Sequence, residues 1–202
     1  AVDGFLCVAL FSPEFLSEKT AAYDAAHPFS NIIGLPKRSI THQKAARTVH
    51  RILPKAPHAL TCSSTDAELI KYAHNGNGFT QFLFFNAIYA LAARLGADWK
   101  AIRDAIGANP FISQTYTNPV HKGGRGAGGN CFIKDFAALR MTYEKHLSED
   151  THGIRLFRSL EAKNIDLLTK TGKDLAILES VHGSISGARR KPKKKAAARS
   201  SA

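Results

Sequence analysis

Cysteine is scarce in this sequence: its 202 residues contain only Cys7, Cys62 and Cys131, and these stand far apart. No two of them form a C-x-x-C pair, and three thiols cannot all be paired within one chain. The pattern excludes a disulfide scaffold and a zinc module, and it is typical of proteins that keep free thiols in a reducing compartment. We therefore expect a cytoplasmic protein that holds no metal.

Long apolar runs are also missing. The longest, Phe82–Ala93, is interrupted by Asn86 and falls short of the ~20 residues that cross a bilayer. The apolar segment Phe5–Phe11 follows Asp3 and has no basic stretch before it, which argues against a signal peptide. We expect no association with a membrane.

Acidic residues are few: Asp and Glu number 16 against 28 Lys and Arg, and the formal net charge is +12. Seven of the basic residues lie in 184–202, a segment without acids, so residues 1–183 carry only +5. We interpret 184–202 as a disordered basic tail. Such a tail attracts polyanions through salt-dependent electrostatics that ignore sequence, although a solvated extension without a partner has the same composition.

The first 63 residues alternate between short apolar runs and helical patterns. We predict strands at Phe5–Phe11, Asn31–Gly34 and His58–Cys62. We predict helices from Pro13 to Ala26, with Ser12 as the cap, and from Thr41 to Leu53. Alternating strands and helices indicate an α/β segment.

From Thr65 onward the pattern is helical. Thr65 and Glu68 form a predicted capping box, and the helix that they open runs to Leu95. Gly76 and Gly78 weaken this helix by about 1 kcal/mol each relative to alanine, so we expect close packing or a local break there. Phe84, Ile88, Leu91 and Leu95 form an apolar stripe at helical spacing. Further helices are predicted at 98–106, 131–146, 153–170 and 173–182, around a glycine-rich loop at 107–130. The expected fold class is mainly α, with a helical core preceded by a partial α/β segment.

Cys131 follows the glycine-rich stretch 124–130 and begins the next predicted helix. The positive end of a helix dipole and the free N–H groups of a first turn favour a thiolate. Asp135 lies one turn further on the same face, and the pair suits attack on a carbonyl followed by activation of water. A small buried cysteine on a tight turn explains the same residues. The glycines also satisfy G-x-G-x-x-G, but no predicted strand runs into them, so we reject a dinucleotide-binding loop.

Two more pairs are spaced to share a helical face. Lys71 and Asn75 place a cation and an amide on an otherwise apolar helix, where they could polarise an oxyanion; taken in isolation, the pair fits a solvated lysine stripe better. Glu14 and Glu18 lie at a predicted helix start, where acids are stabilising without any catalytic role.

Four motifs in order make this sequence resemble the UDP-glucose/GDP-mannose dehydrogenase family. The first is Ser12–Ala21 with Asp24, Pro28 and Ile32–Gly34, similar to the family's P-E-F-L-x-E-x-T-A…D…P…I-I-G. The others are Ala67–Asn75, similar to A-E-L-I-K-Y-x-x-N; Leu95–Asp98, similar to L-G-A-D; and Gly124–Asp135, similar to G-x-G-x-G-G-x-C-F-x-K-D.

The resemblance implies an NAD-dependent 6-dehydrogenase that oxidises the primary alcohol of a nucleotide sugar to a carboxylate, as in the synthesis of polysaccharide precursors. It implies that Cys131 is the nucleophile that holds the intermediate aldehyde as a thiohemiacetal and then as a thioester. It assigns oxyanion stabilisation to Lys71 and Asn75, acid/base and water-positioning roles to Asp135 and Glu14, and a neighbouring acidic position to Glu18. It also implies a homodimer formed through the helical domain.

The chain is shorter than members of the family that it resembles. The resemblance places the end of a Rossmann-type NAD domain at 1–63, the helical dimerisation and catalytic domain at 64–183, and the tail at 184–202. The glycine-rich NAD motif and most of a nucleotide domain have no counterpart, so we expect the isolated chain to be inactive. Gln81 and Phe111 stand where the family often has basic residues. The alternative is a dimerising scaffold derived from this family, whose tail binds nucleic acid or another polyanion.

Overall fold

Helices make up most of this structure, a computed structural model that describes residues 7–184. The helices of the described chain are α1 (Ala21–Ala26), α2 (Ile40–Ile52), α3 (Ser64–Leu95), α4 (Trp99–Gly107), α5 (Gly129–His146), α6 (Thr151–Thr171) and α7 (Leu175–His182). Its strands are β1 (Ser30–Leu35) and β2 (His58–Ser63), and a 3₁₀ turn covers Gln114–Tyr116. The predicted fold class, mainly α with a small α/β segment at the N-terminal side, is confirmed.

Internal contacts divide the chain into two compact units, and the boundary between them in the sequence lies between His74 and Asn75, inside α3. The predicted division into domains at residues 63 and 183 stays a prediction. The predicted disorder of the basic tail concerns residues that, apart from Ser184, lie outside the described part of the chain.

The first unit is built on a parallel pair of strands. β1 and β2 pair from Ser30 opposite His58 to Leu35 opposite Ser63, and α2 supplies the crossover that parallel strands require. The core of this unit consists of Ile33, Leu35 and Ala46, with Leu10, Val49 and Leu53 packed against it. The strands predicted at 31–34 and 58–62 and the helix predicted at 41–53 are confirmed.

The strand predicted at Phe5–Phe11 does not form in its described part. Residues 7–10 have no regular structure, and Phe11 makes an isolated antiparallel bridge to Gly34 of β1. Its N–H donates to the Gly34 carbonyl at 3.0 Å and its carbonyl accepts from the Gly34 N–H at 2.7 Å. Phe5 and Leu6 lie outside the described residues.

The helix predicted from Pro13 is also wrong, because α1 begins only at Ala21. Side-chain oxygens occupy the N–H groups that a longer helix would use: Glu14 accepts from the Leu16 N–H at 2.8 Å, and Asp24 from the Ser17 N–H at 2.9 Å. Local bonds of this kind compete with helix formation.

α3 begins with a capping box two residues before the predicted one. The Ser63 hydroxyl accepts from the Asp66 N–H at 3.1 Å, and the Asp66 carboxylate accepts from the Ser63 N–H at 3.0 Å. These bonds to Ser63 lower the pKa of Asp66. Thr65 and Glu68 lie within the helix instead, because β2 ends at Ser63 and leaves that residue in the capping position.

The glycines inside α3 mark close packing and not a break. A Cβ on Gly78 would lie 2.8 Å from the Tyr116 ring, and one on Gly76 would lie 3.1 Å from the Leu139 side chain. The helix continues through both positions. Of the two expectations, close packing is therefore confirmed.

The second unit packs α3 against α5 and α6. The rings of Phe79 and Phe136 stack with their centroids 3.8 Å apart. The buried cluster around them consists of Phe79, Phe82, Leu83, Ala127, Phe136 and Leu167. This core fixes which face of α5 is turned inward and which faces outward.

The predicted stripe on α3 lies largely outside this core. Phe84, Leu91 and Leu95 are 58%, 53% and 72% exposed in the single chain. The stripe therefore contributes little to the buried core of the described residues. None of the described helices combines the length and the hydropathy that a membrane span needs.

Two arginines converge on one carboxylate between α5 and α6. Glu144 accepts from Arg158 at 2.8 Å and from Arg140 at 3.0 Å, and Arg140 also pairs with Glu161 at 2.7 Å. The bonds from Arg158 and Arg140 lower the pKa of Glu144 from 4.5 to about 2. The network therefore holds Glu144 ionised and links the two helices.

We expect Glu144→Gln to reduce the acid sensitivity of the fold. Because the folded-state pKa of Glu144 is depressed, its stabilising contribution is present above 4.5 and is lost as the pH falls toward about 2. The variant should have a lower free energy of unfolding at neutral pH and a shallower decline across that window. Urea unfolding at a series of pH values measures both. Glu149→Gln is the control, since Glu149 is exposed; equal slopes in the two variants would contradict the prediction.

Candidate active site

The glycine-rich motif forms a loop, 124–129, that leads directly into α5. Gly124 bridges His121 across a tight turn. Gly126 and Gly129 have φ angles of 95° and 81°, in the left-handed region that glycine adopts at little cost. Within the described residues no strand runs into this loop, so its geometry differs from that of a dinucleotide-binding loop.

Asn164, a residue of α6 that sequence reasoning missed, holds the middle of the loop. Its amide donates to the Ala127 carbonyl at 2.9 Å and accepts from the Ala127 N–H at 2.7 Å. Asn164 is 3% exposed, so this pair satisfies buried polar groups on both sides. A single asparagine in an amphipathic helix carries no local signal of such a contact.

Arg125 anchors the same loop to α3. Its guanidinium donates to the Asn86 side chain at 2.9 Å and to the Asn86 carbonyl at 2.7 Å, and it lies 5.0 Å from the centre of the Tyr89 ring. Asn86 is fully buried. The polar residue that interrupts the apolar run 82–93 is therefore the partner of a loop arginine.

Cys131 is the third residue of α5 and is exposed. The predicted helix start is confirmed, and the interpretation of Cys131 as a buried packing residue is wrong for this chain. The N-cap position is Gly128, which has no side chain to cap the helix. Cys62, in contrast, is half-buried, and burial raises its pKa. Cys131 is thus an exposed thiol in the first turn of a helix.

Asn75 and Asp135 form a buried polar contact one turn from Cys131. The Asn75 amide donates to the Asp135 carboxylate at 2.6 Å, and both residues are 8% exposed. The other carboxylate oxygen of Asp135 pairs with Lys134 at 2.5 Å. Asp135 lies one turn after Cys131 on α5, so two of the predicted residues are joined directly and a third is on the same helix.

Glu14 and Lys71 are brought together in the first unit. The Lys71 ammonium donates to the Glu14 carbonyl and lies 3.6 Å from the Glu14 carboxylate. It is also 5.3 Å from the centre of the Phe15 ring. The motif residues 14 and 71, 57 positions apart, therefore share one site.

Glu18 is exposed and lies in the turn before α1. The helical pairing of Glu14 with Glu18 is wrong, because neither residue is in a helix. The six predicted site residues fall into two groups: Glu14, Glu18 and Lys71 in the first unit, and Asn75, Cys131 and Asp135 in the second.

The described residues do not fit a dinucleotide. A Rossmann-type site needs a strand that runs into a glycine-rich turn at a helix N-terminus. β1 is followed by Pro36–Ser39, which contains no glycine, and β2 runs straight into α3. The NAD that the resemblance implies therefore has no binding motif in residues 7–184.

Comparison with known proteins identifies the helical part. Residues 65–164 match the UDP-glucose/GDP-mannose dehydrogenase family, central domain. This segment belongs to that family. The predicted resemblance is thereby confirmed, and the match contains Lys71, Asn75, Cys131 and Asp135.

Individual relatives are similar to a larger part of this chain than the family match covers. The UDP-glucose 6-dehydrogenase of Rickettsia conorii is 32% identical over 143 residues, which is 71% of this chain and 32% of that protein. The UDP-glucose 6-dehydrogenase TuaD of Bacillus subtilis is 34% identical over 128 residues, 63% of this chain and 26% of that protein. This chain spans about a third of the length of the curated relatives that it matches.

Solved structures agree on the fold. A UDP-glucose dehydrogenase from Pyrobaculum islandicum superimposes with a TM-score of 0.53 and 28% identity, covering 85% of this chain and 32% of that one. The UDP-D-ManNAc dehydrogenase of Pyrococcus horikoshii has a TM-score of 0.56 and 19% identity, covering 81% of this chain and 38% of that one. The second likeness concerns the fold alone.

We expect Asn75→Ala to destabilise the protein by about 1–3 kcal/mol, because it leaves the buried Asp135 carboxylate without its amide donor. Asn75→Asp should cost more at neutral pH, where two carboxylates would face each other, and part of that loss should be recovered in acid. Urea unfolding measures both effects. Asn77→Ala and Asn77→Asp, at an exposed position of the same helix, separate helix propensity from the contact; similar losses at both positions would rule out this role for Asn75.

Proposed function

We propose that this chain is part of an NAD-dependent nucleotide-sugar dehydrogenase that oxidises the sugar C6 alcohol to a carboxylate. The observation that carries the proposal is the coincidence of two independent facts. The family match covers Cys131, Asn75 and Asp135, and in the fold Asn75 is hydrogen-bonded to Asp135, one turn from an exposed Cys131.

Cys131 is the proposed nucleophile. Its sulfur adds to the carbonyl carbon of the sugar aldehyde, a C–S bond forms, the C=O π bond breaks, and the electron pair moves to oxygen. Cys131 lies in the first turn of α5 and is exposed, so its sulfur can meet a substrate from solution. The described residues form no dinucleotide site that would orient a hydride acceptor.

Asp135 is the proposed base for the water that releases the carboxylate product. The bond from Asn75 orients one carboxylate oxygen, and the other pairs with Lys134. A carboxylate held one turn from the thiol is suited to take a proton from water that attacks a thioester. The thiol then leaves with the proton that restores Cys131.

Lys71 and Asn75 are proposed to stabilise the oxyanion, with Glu14 as an acid/base group and Glu18 as a neighbouring acid. The Lys71 ammonium pairs with the Glu14 carboxylate, and a cation is worth most where developing negative charge meets it in a site closed to water. Asn75 carries the amide that donates to Asp135, and side-chain amides are among the groups that stabilise oxyanions.

We expect no NADH formation when the isolated 202-residue chain is mixed with NAD and UDP-glucose or GDP-mannose. The physical reason is that residues 7–184 lack a dinucleotide-binding turn, which leaves no site to orient a hydride acceptor. Absorbance of NADH measures the outcome. Steady turnover by the isolated chain would refute this expectation.

We expect Cys131→Ser to lower kcat by about a thousandfold or more in a protein completed with the family's NAD and nucleotide domains, because a hydroxyl at this position is not ionised at neutral pH. Cys62→Ser is the matched control and should keep kcat within about twofold. Full activity of the Cys131→Ser protein would remove Cys131 from the mechanism.

We also propose a homodimer formed through the exposed stripe of α3. Phe84, Leu91 and Leu95 expose large apolar side chains in line on one helix, and contiguous apolar patches on soluble proteins mark contact surfaces. A second copy of the chain is the occupant that the family resemblance implies.

Leu91→Glu should weaken this dimer by at least about tenfold in Kd, since it places a charge in an apolar contact. Analytical ultracentrifugation over a range of concentrations measures the change. Ala93→Glu, an exposed position on the opposite side of α3, is the control. Equal dimerisation of the two variants would place the interface elsewhere.

A further inference from the structure

The turn between α6 and α7 binds the backbone of the loop that precedes Cys131. The Thr171 hydroxyl accepts from the Arg125 N–H at 3.1 Å. The Lys173 ammonium donates to the Gly126 carbonyl at 2.7 Å, and the Asp174 carboxylate accepts from the Gly129 N–H at 2.8 Å. We call these three side chains, Thr171, Lys173 and Asp174, the clasp.

Two positions of the loop, Gly124 and Gly128, must be glycine because the clasp approaches their backbone closely. A Cβ on Gly124 would lie 2.7 Å from the Cβ of Lys173, and a Cβ on Gly128 would collide with the Asp174 carboxylate. Contacts this close leave no space for a side chain at either position. Gly124 and Gly128 of the motif are thus explained by the approach of the clasp.

Asp174 stands at the N-cap position of α7 but does not cap that helix. Its backbone is left-handed, with φ 52° and ψ 31°, and its side chain makes no capping bond to α7. It bonds instead to Gly129, the first residue of α5, whose own N-cap Gly128 has no side chain. A non-glycine residue in this conformation is strained and persists only where its surroundings hold it.

Lys173 is the buried charge of the clasp. Its side chain is 7% exposed, and its ammonium lies 5.5 Å from the centre of the Phe82 ring. Burial lowers its pKa, while Asp174 opposes that shift and Lys122 adds to it. A buried ammonium needs partners, and the Gly126 carbonyl and the Phe82 ring provide them.

We propose that Lys173 and Asp174 are positioning residues for Cys131. Lys173 binds the loop at Gly126, and Asp174 binds its end at Gly129, where it caps the first turn of α5 from 45 residues away. Cys131 lies two residues after the capped Gly129, so this bond sets the direction of the thiol and places a fixed negative charge at the helix N-terminus. The catalytic consequence rests on the proposed function of Cys131, whereas the geometry does not.

The test uses alkylation of Cys131 in the full chain with Cys7→Ser and Cys62→Ser. Neutral iodoacetamide and anionic iodoacetate are compared at low ionic strength. The ratio of their rate constants reports the charge near the thiol, because the thiolate fraction and the accessibility affect both reagents alike. Asp174→Asn removes a negative charge and keeps an acceptor, so the iodoacetate/iodoacetamide ratio should rise about twofold. Lys173→Met should lower it about twofold for the opposite reason.

A second readout is the hydrogen exchange of residues 124–133. Asp174→Ala should speed exchange there, since the Gly129 N–H loses its acceptor, and Asp174→Asn should restore protection. Asp166→Asn is the matched control: Asp166 pairs with Lys170 on the exposed side of α6, and its loss removes the same charge without a loop contact.

The proposal is overturned if Asp174→Asn changes the ratio no more than Asp166→Asn does, if Lys173→Met shifts the ratio upward, or if Asp174→Ala leaves exchange at 124–133 unchanged. Neither readout needs substrate or cofactor. If the Cys131→Ser enzyme is active while the iodoacetate/iodoacetamide ratios change as expected, only the proposed role of Cys131 is refuted. If that enzyme is inactive while the ratios do not change, only the role of the clasp is refuted.

Discussion

Every buried N–H and C=O group of a loop without regular structure needs a hydrogen-bond partner, and this requirement organises the region around Cys131. The loop 124–129 is largely buried and has few side chains of its own. The backbone partners come from Asn164 on α6 and from the clasp at the α6–α7 turn, and Asn86 on α3 binds the Arg125 side chain. The position of the thiol thus depends on three elements that are distant in sequence.

The same arrangement explains why the candidate groups in the second unit lie where they do. α5 begins at the residue that Asp174 caps, so its first turn presents Cys131 outward. One turn later its inner face carries Asp135 to the buried amide of Asn75. The stacked rings of Phe79 and Phe136 hold α3 and α5 at the distance that this bond requires. Packing and polar contacts therefore support the same geometry.

Much of this could be predicted from the sequence. The parallel strands, the helices and the motif residues were predictable because apolar periodicity and the pairing of residues 71 with 75 and 131 with 135 are local signals. The errors arose where short side chains compete with the backbone. Glu14 and Asp24 prevent the helix expected from Pro13, and Ser63 with Asp66 replaces the predicted capping box. More than one set of local hydrogen bonds is available to such segments, and packing against neighbouring elements selects one of them.

The sequence by itself determined the family, the helical character and the residues suited to thiol chemistry, since each depends on residue type and short-range spacing. Only the tertiary structure decided that Asn75 bonds Asp135, that Glu14 meets Lys71, and that the glycines accommodate Lys173 and Asp174. These contacts join residues separated by 45 to 60 positions. Such pairs form because burial leaves polar groups without water, and which partner they find depends on how the helices pack.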